Sequence, residues 1–324
     1  MGRTTDLPDE LGGEFSTALA RRHGVSRSRM RGSDLRAPFF GVRIAAEAAF
    51  DTDAEDPYRR QQLIRIARAR EYAPRLHTGH FFSHHTAAAI WGGPLPLEFA
   101  EDGRIADDLR PHVSALGPLA EPRTTGVIGH RTRASFTEIS EHDRLRVSSP
   151  AATWASLGAL SLYDLIALGD YFCRQWRHGY GRPTPGKPPL ATTADLRAML
   201  GVGRRLGADR LRAALPRIRE DSWSPRESLV RCLLVDAGLP EPRLNVDVRD
   251  DTGRFLGCVD MAYPDQKVAI EYLGMTHGAT WAADVERIAA LRAAGWVVIE
   301  VTAPLLRSPE TLIHRVATAL RRPR

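Results

Sequence analysis

The feature that most constrains this chain is the regular apolar–polar patterning of its last hundred residues. Ser224-Pro225-Arg226-Glu227 reads as a helix start, with serine at the cap, proline in the first turn and glutamate three residues on. The helix runs through Leu229 to Ala237 and stops at Gly238-Leu239-Pro240. Arg243 to Arg249 alternates Leu, Val and Val with polar residues, as a half-buried strand does. Asp250-Asp251-Thr252-Gly253 supplies a turn, so Arg254 to Tyr263 is expected to pair antiparallel with it. Pro264-Asp265-Gln266 turns into a near-continuous apolar strand, Lys267 to Tyr272. Trp281 to Ala294 is a helix closed by Gly295, Trp296 to Val301 a buried strand, and Pro309 to Leu320 a last helix. The predicted order is helix, three strands, helix, strand, helix.

Two of these apolar strands carry one carboxylate each, Asp260 and Glu271, and a buried acid needs a partner. Two hard oxygen ligands on neighbouring strands suit Mg²⁺, which activates water and stabilises charge on a phosphoryl group. Glu227 either adds a third acid or only completes its capping box. His277 either caps the segment after Gly274 or faces the site. Asp284, early in its helix, suits the helix dipole or the same site.

This block resembles the very-short-patch-repair-like endonucleases of the PD-(D/E)xK superfamily over about 100 residues. The resemblance rests on Val259-Asp260-Met261-Ala262-Tyr263-Pro264, on Ile270-Glu271-Tyr272-Leu273-Gly274 and on Thr276-His277. Trp281, Asp284, Arg287 and Ala294-Gly295-Trp296-Val297-Val298 extend it. It implies a restriction-endonuclease-like αβββαβα core over 224–324, with Mg²⁺ held by Asp260 and Glu271. It further implies Glu227 as ligand or base, His277 at the scissile phosphate or leaving group, Arg287 on nucleic acid, and double-stranded DNA as the partner. One departure matters: position 273, an acid in that family and a lysine in the wider superfamily, is leucine. Leucine neither binds metal nor orients water. Catalysis then rests on compensation by Glu227, Asp284, His277 or the Tyr272 carbonyl, and the alternative is a DNA-binding regulator that does not cut.

Upstream, residues 1–45 suggest a helix-turn-helix or winged-helix-like module. Phe15 to Gly24 reads as a short helix closed by glycine, Ser26 caps a second helix from Arg27 to Leu35, and Pro38 to Arg43 forms a hairpin or wing. Arg27, Arg29, Arg31 and Arg36 are either groove-reading side chains or a solvated basic surface. Residues 46–180 read as a mixed α/β scaffold: a capped helix from Ser83 to Gly92, strands at His112 to Leu116 and Gly126 to Arg131, and one long apolar helix from Ser149-Pro150 through Tyr163 to Phe172. His77, His80, His84 and His85 cluster in sequence without a supporting cysteine or carboxylate pattern, so capping and packing is their expected role. A Pro/Gly loop, Gly179 to Pro189, opens a linker over 181–223. That linker carries Arg204, Arg205, Arg210, Arg212, Arg217 and Arg219, a phosphate track or a solvated face.

The first two blocks are similar to the AbiEi-type abortive-infection antitoxin-like proteins over roughly residues 15 to 180. The matching pieces are Ser83 to Pro96, Gly126 to Arg133 and Ser148 to Asp170, with Ser156 where that family more often carries an acid. The similarity implies a DNA-binding or regulatory scaffold in phage defence or a toxin–antitoxin pair, and no reaction.

Composition agrees with a nucleic-acid partner. Net charge is +6, the pI is near 9.6, and Lys187 and Lys267 are the lysines of an otherwise arginine-based cation set. An acidic toxin would also suit this charge, and a second copy of the chain is the other partner the reading leaves open. No run of about 18 apolar residues and no apolar leader are present, and Cys173, Cys232 and Cys258 form no disulfide or zinc pattern. A cytoplasmic location is the expectation.

Overall fold

Ser16, Asp56, Ser149, Thr192, Ser224 and Thr302 each accept a backbone N–H two or three residues on, and these caps set most of the helix starts. The computed structural model describes residues 6–47, 50–179, 182, 184–274 and 281–322, without the side chains of 281 and 282. In chain order the elements are β1 (Glu14–Ser16), α1 (Thr17–Arg22), β2 (Leu35–Arg36), β3 (Val42–Ala45), α2 (Pro57–Tyr72), β4 (His80–Phe82), α3 (His84–Ile90), β5 (His112–Leu116) and β6 (Ile128–Thr132). There follow β7 (Ile139–His142), β8 (Leu145–Ser148), α4 (Pro150–Ser156), α5 (Leu162–Phe172), α6 (Thr193–Gly201) and α7 (Ala208–Ala214). The last stretch holds α8 (Pro225–Asp236), β9 (Arg243–Arg249), β10 (Phe255–Tyr263), β11 (Val268–Tyr272), α9 (Trp281–Ala293), β12 (Val297–Val301), α10 (Ala303–Leu306) and α11 (Pro309–Leu320). The chain is thus mixed α/β with several sheets. It divides into two compact units, Met1–Leu165 with Ala191–Leu215 and Ile166–Leu190 with Pro216–Arg324, the division falling within α5.

The first unit opens with a three-stranded antiparallel sheet in the order β1-β3-β2, whose β2–β3 hairpin pairs Leu35 with Ala45. Phe15, Ala20 and Met30 are buried beneath it. The expected second helix from Arg27 to Leu35 does not form; one 3-10 turn, Arg29–Arg31, stands in its place. Local side chains account for this. Ser26 Oγ accepts the Arg29 N–H at 3.1 Å, and the Arg29 guanidinium folds onto Asp34 through two bonds of 3.0 and 2.7 Å. The chain closes on itself at Gly32, where a Cβ would lie 2.4 Å from Asp34 Oδ1.

A five-stranded sheet, β6-β5-β4-β8-β7, forms the rest of this unit, with β4–β8 and β5–β6 parallel. Phe82, Val113 and Val147 from the sheet pack with Phe39, Tyr72 and Ile90. The single long helix expected from Pro150 to Phe172 is two, α4 and α5. They separate around Gly158, where a Cβ would meet the Leu206 carbonyl oxygen at 2.1 Å. Arg210 Nη1 then caps the broken end, donating to the carbonyls of Gly158, Ala159 and Leu160 at 2.9–3.1 Å.

In the second unit the strands lie in the order β12-β11-β10-β9; β9, β10 and β11 are antiparallel neighbours, and β12 runs parallel to β11 after the α9 crossover. On one face Val230 and Leu234 of α8 and Leu312 and Val316 of α11 pack on Met261, Ile270 and Val301. On the other, Ile288 and Leu291 of α9 cover Val248, Val259, Ala269 and Val298. A buried ion pair, Arg231 Nη2 to Asp170 Oδ2 at 3.0 Å, ties the end of α5 to α8, helped by the Ser228 hydroxyl at 2.7 Å.

Candidate functional site

Asp260 and Glu271 come together because the antiparallel register Met261↔Ile270 and Ala262↔Ala269 continues one step to place them side by side. Both project to the α9 face, since Ala262 and Ala269 two residues away pack there. Asp260 Oδ2 accepts the Tyr272 N–H at 2.8 Å. Glu271 is 3% exposed and ion-paired with Arg287 Nη1, whose Nη2 reaches Asp284 Oδ1 at 3.0 Å. The Arg287 stem lies against Gly257, where a Cβ would come within 2.7 Å of its Cδ, so the glycine makes room for this arginine.

Glu227 adds a third acid from the first turn of α8. Ser224 caps the helix as expected, but the Glu227 carboxylate turns to the Trp223 N–H at 2.9 Å and to Asn245 Nδ2 at 3.0 Å. Asn245 sits within β9 with a left-handed φ of 48°, a conformation asparagine tolerates better than most residues. Burial pushes Glu227 up to about 7, and the Asp260 charge adds to the effect. Burial likewise pushes Glu271 up to about 8, with Asp260 adding and Arg287 opposing. Asp260 is raised by burial against the opposing Tyr272 N–H. Like charges held out of water favour protonation or a nearby cation, and Arg287 is the cation in contact with Glu271 and Asp284.

The remaining sequence-predicted residues fare differently. His277 lies outside the described residues. Leu273 packs at the edge of the apolar cluster under α9, its N–H bonded to Val301 O at 2.9 Å. In the first unit Arg29 is paired with Asp34 and Arg36 with Glu71 at 3.4 Å, while Arg27 and Arg31 stay exposed along a hollow with Arg21, Phe39 and Phe40. The linker arginines are largely absorbed by the fold. Arg205 donates to Phe136 O and Met199 O, Arg210 caps α4, Arg212 pairs with Asp209, Arg217 with Asp236 and Arg219 with Glu241.

Two features escaped the sequence reading. In the second unit Arg174 lies 3.8 Å over Trp176 and 4.8 Å from Trp223, with Arg182 5.2 Å from Trp223 and Lys187 5.2 Å from Trp176. The signal was the interleaving of arginine and tryptophan over Arg174-Gln175-Trp176-Arg177, which periodicity does not register. In the first unit His84, His112 and His130 bring ring nitrogens within 4.8 Å of one another, the group of three metal-competent side chains found at that spacing among the described residues. Asp260, Glu271 and Glu227 do not form such a group of three. Burial lowers His84 to about 3 and His112 to about 2, and lowers His130 as well, so the rings are unprotonated near neutrality. Ser83, expected to cap α3, makes no cap bond; its hydroxyl is engaged with His84 Nδ1 at 2.9 Å. His77 and His80 face each other apart from the triad, at 5.3 Å between rings.

No helix among the described residues is long and apolar enough to cross a membrane. No family model matches the chain, and no solved structure matches it. Two uncharacterized proteins of Mycobacterium tuberculosis, Rv2248 of strain H37Rv and MT2308 of strain CDC 1551, are each 33% identical to it over 126 residues. That stretch is 38% of this chain and 46% of each relative, so the chain spans about half the length of the curated relatives it matches.

Proposed function

We propose that this chain is a DNA-binding protein whose second unit is an endonuclease-type core, with Asp260, Glu271 and Glu227 as its acidic centre. The observation that carries the reading is the cross-strand pair of half-buried Asp260 and buried Glu271, with buried Glu227 near Asp260, on a sheet of three antiparallel strands joined by a helix to a parallel fourth. Three carboxylates with raised proton affinity are a group that a divalent cation would discharge, and the hard oxygen donors suit Mg²⁺ or Mn²⁺. Bound there by Asp260 and Glu271, such an ion would supply Lewis-acid charge at a phosphodiester. Glu227, held by Asn245 and the Trp223 N–H, is placed to carry a proton. Arg287 neutralises Glu271 and would hand that role to the cation. The exposed Arg27 and Arg31 supply cationic contacts for a nucleic acid, and half-buried Trp176, backed by the buried Arg174, an aromatic edge. The first unit serves in this reading as an antitoxin-like scaffold that contacts duplex DNA through surface cations rather than through a recognition helix, which does not form.

A second reading, DNA binding without hydrolysis, is favoured by Leu273, whose side chain belongs to the apolar cluster rather than to the acidic centre. Supercoiled plasmid incubated with Mg²⁺ or Mn²⁺, scored for nicking and for gel shift with wild type and Asp260→Ala/Glu271→Ala, separates the two. Nicking lost in the double variant establishes the nuclease. A salt-sensitive shift without nicking establishes the regulator, and absence of both removes the proposal.

A further inference from the structure

We propose that His84, His112 and His130 form a site in the first unit for one zinc-class divalent cation, with a coordination position left for water. The three side chains come from three elements: the first residue of α3, the first of β5 and the middle of the edge strand β6. Their nitrogens, all within 4.8 Å of one another, lie near the roughly 3.3 Å spacing of ligands about 2.0–2.1 Å from a tetrahedral Zn²⁺, and metal binding would turn the stacked rings so that their lone pairs meet at one ion.

Three observations distinguish this group from histidines that merely pack. Ser83 Oγ lies 2.9 Å from His84 Nδ1 and accepts the Ser114 hydroxyl at 2.8 Å, so one ring nitrogen of His84 is held and the other is left as a donor. That is how metal-binding imidazoles are oriented from behind. His84 itself has a left-handed φ of 51°, uncommon for a residue with a Cβ, and this lays its ring 3.8 Å from that of His130. His112 Nδ1 and His130 Nε2 stand 2.9 Å apart with rings within 12° of parallel. Two neutral imidazoles at that distance share one proton between two lone pairs, whereas a cation accepts both. His85, with its buried Nδ1 unpartnered among the described residues, lies 5.0 Å from the His112 ring and adds a fourth imidazole at the rim.

The donor set selects the metal. Three neutral nitrogens and a water suit Zn²⁺, Co²⁺ or Ni²⁺ and offer little to Mg²⁺, which takes oxygen ligands. The site is therefore chemically distinct from the acidic centre and belongs to the other unit, and its fate does not depend on whether the second unit cuts DNA.

Calorimetric titration of the chelator-treated full chain with ZnCl₂ tests it, with CoCl₂ absorption as a direct report of nitrogen coordination. The expected result is one saturable equivalent and visible Co²⁺ bands of a four- or five-coordinate site. Binding is expected to weaken by about a hundredfold or more in His112→Gln and His130→Gln, and by about tenfold in Ser83→Ala. It is expected to persist in His77→Gln and in Asp260→Ala/Glu271→Ala. Circular dichroism checks each variant, and His130→Gln on the edge strand remains informative if His112→Gln does not fold. No saturable equivalent in the folded wild type overturns the proposal. So does binding that survives His130→Gln and Ser83→Ala, or that disappears with the carboxylates.

Discussion

Arg287 donates to Glu271, and this one contact places a guanidinium where the proposed acidic centre would otherwise hold an uncompensated charge. Glu271 has almost no exposure and Arg287 about a quarter, so removing the arginine leaves a buried acid to protonate or to find another cation. Arg287→Gln is expected to destabilise the second unit by about 2–4 kcal/mol, read as a lower urea midpoint. Millimolar Mg²⁺ should restore more stability to this variant than it adds to wild type. Equal responses of the two would show that Asp260 and Glu271 do not hold the ion.

The same carboxylates make stability depend on pH in a definite direction. Glu227 and Glu271 titrate near 7 and 8 in the folded chain, above the ordinary value of 4.5. Between 4.5 and 8 the folded state therefore binds more protons than the unfolded state, and stability falls as pH rises. Their unfavourable contribution is absent below about 4.5 and complete above about 8. Urea midpoints measured from pH 5.5 to 8.5 should decline, Glu227→Gln and Glu271→Gln should flatten the decline, and Mg²⁺ should oppose it. A midpoint rising over this window in wild type, with both variants parallel to it, contradicts the account.

Asp170 and Arg231 test a structural role. Both side chains are nearly inaccessible, and Asp170 is also held by the Arg219 N–H at 2.7 Å and the Ser228 hydroxyl. Arg231→Met strands the acid and is expected to cost about 3–5 kcal/mol, while Asp170→Leu/Arg231→Met recovers part of the loss. Chemical denaturation of the three proteins reads the difference, which vanishes if the pair is only incidental.

The arginines of the N-terminal sheet separate by partner. Arg27→Ala/Arg31→Ala removes exposed charge and should weaken DNA binding, lowering the slope of log K against log salt by about 1–2. Arg29→Ala removes the clamp on Asp34 and should act on the fold of the 26–34 turn instead. Gel shifts at several salt concentrations, paired with thermal melts, distinguish the two effects; an unchanged salt slope in the first variant argues that DNA lies elsewhere.

Much of the second unit was legible in advance. The strand Arg243–Arg249 lies where alternation placed it, the helix Pro309–Leu320 has its expected bounds, and β10, β11, α9 and β12 differ from expectation by a residue at an end. Asp260 and Glu271 were expected on neighbouring strands from the turn at Pro264–Gln266 and from the resemblance, while the register that sets them side by side came from the structure. The first unit was less legible. Arginine counting suggested a recognition helix where Ser26 and Asp34 bind the backbone and Arg29 into a turn, and the apolar run after Pro150 concealed a break imposed by a chain segment fifty residues later.

The sequence alone determined the periodicities, the caps, the turn at Asp250–Gly253 and the cationic balance, because each depends on neighbours within one or two turns of chain. Only tertiary structure decided which polar side chains meet: Arg287 on Glu271, Arg231 on Asp170, Asn245 on Glu227, and three histidines from α3, β5 and β6. Those encounters join residues separated by many positions. Their energetics come from burial and partner geometry, which no local pattern encodes.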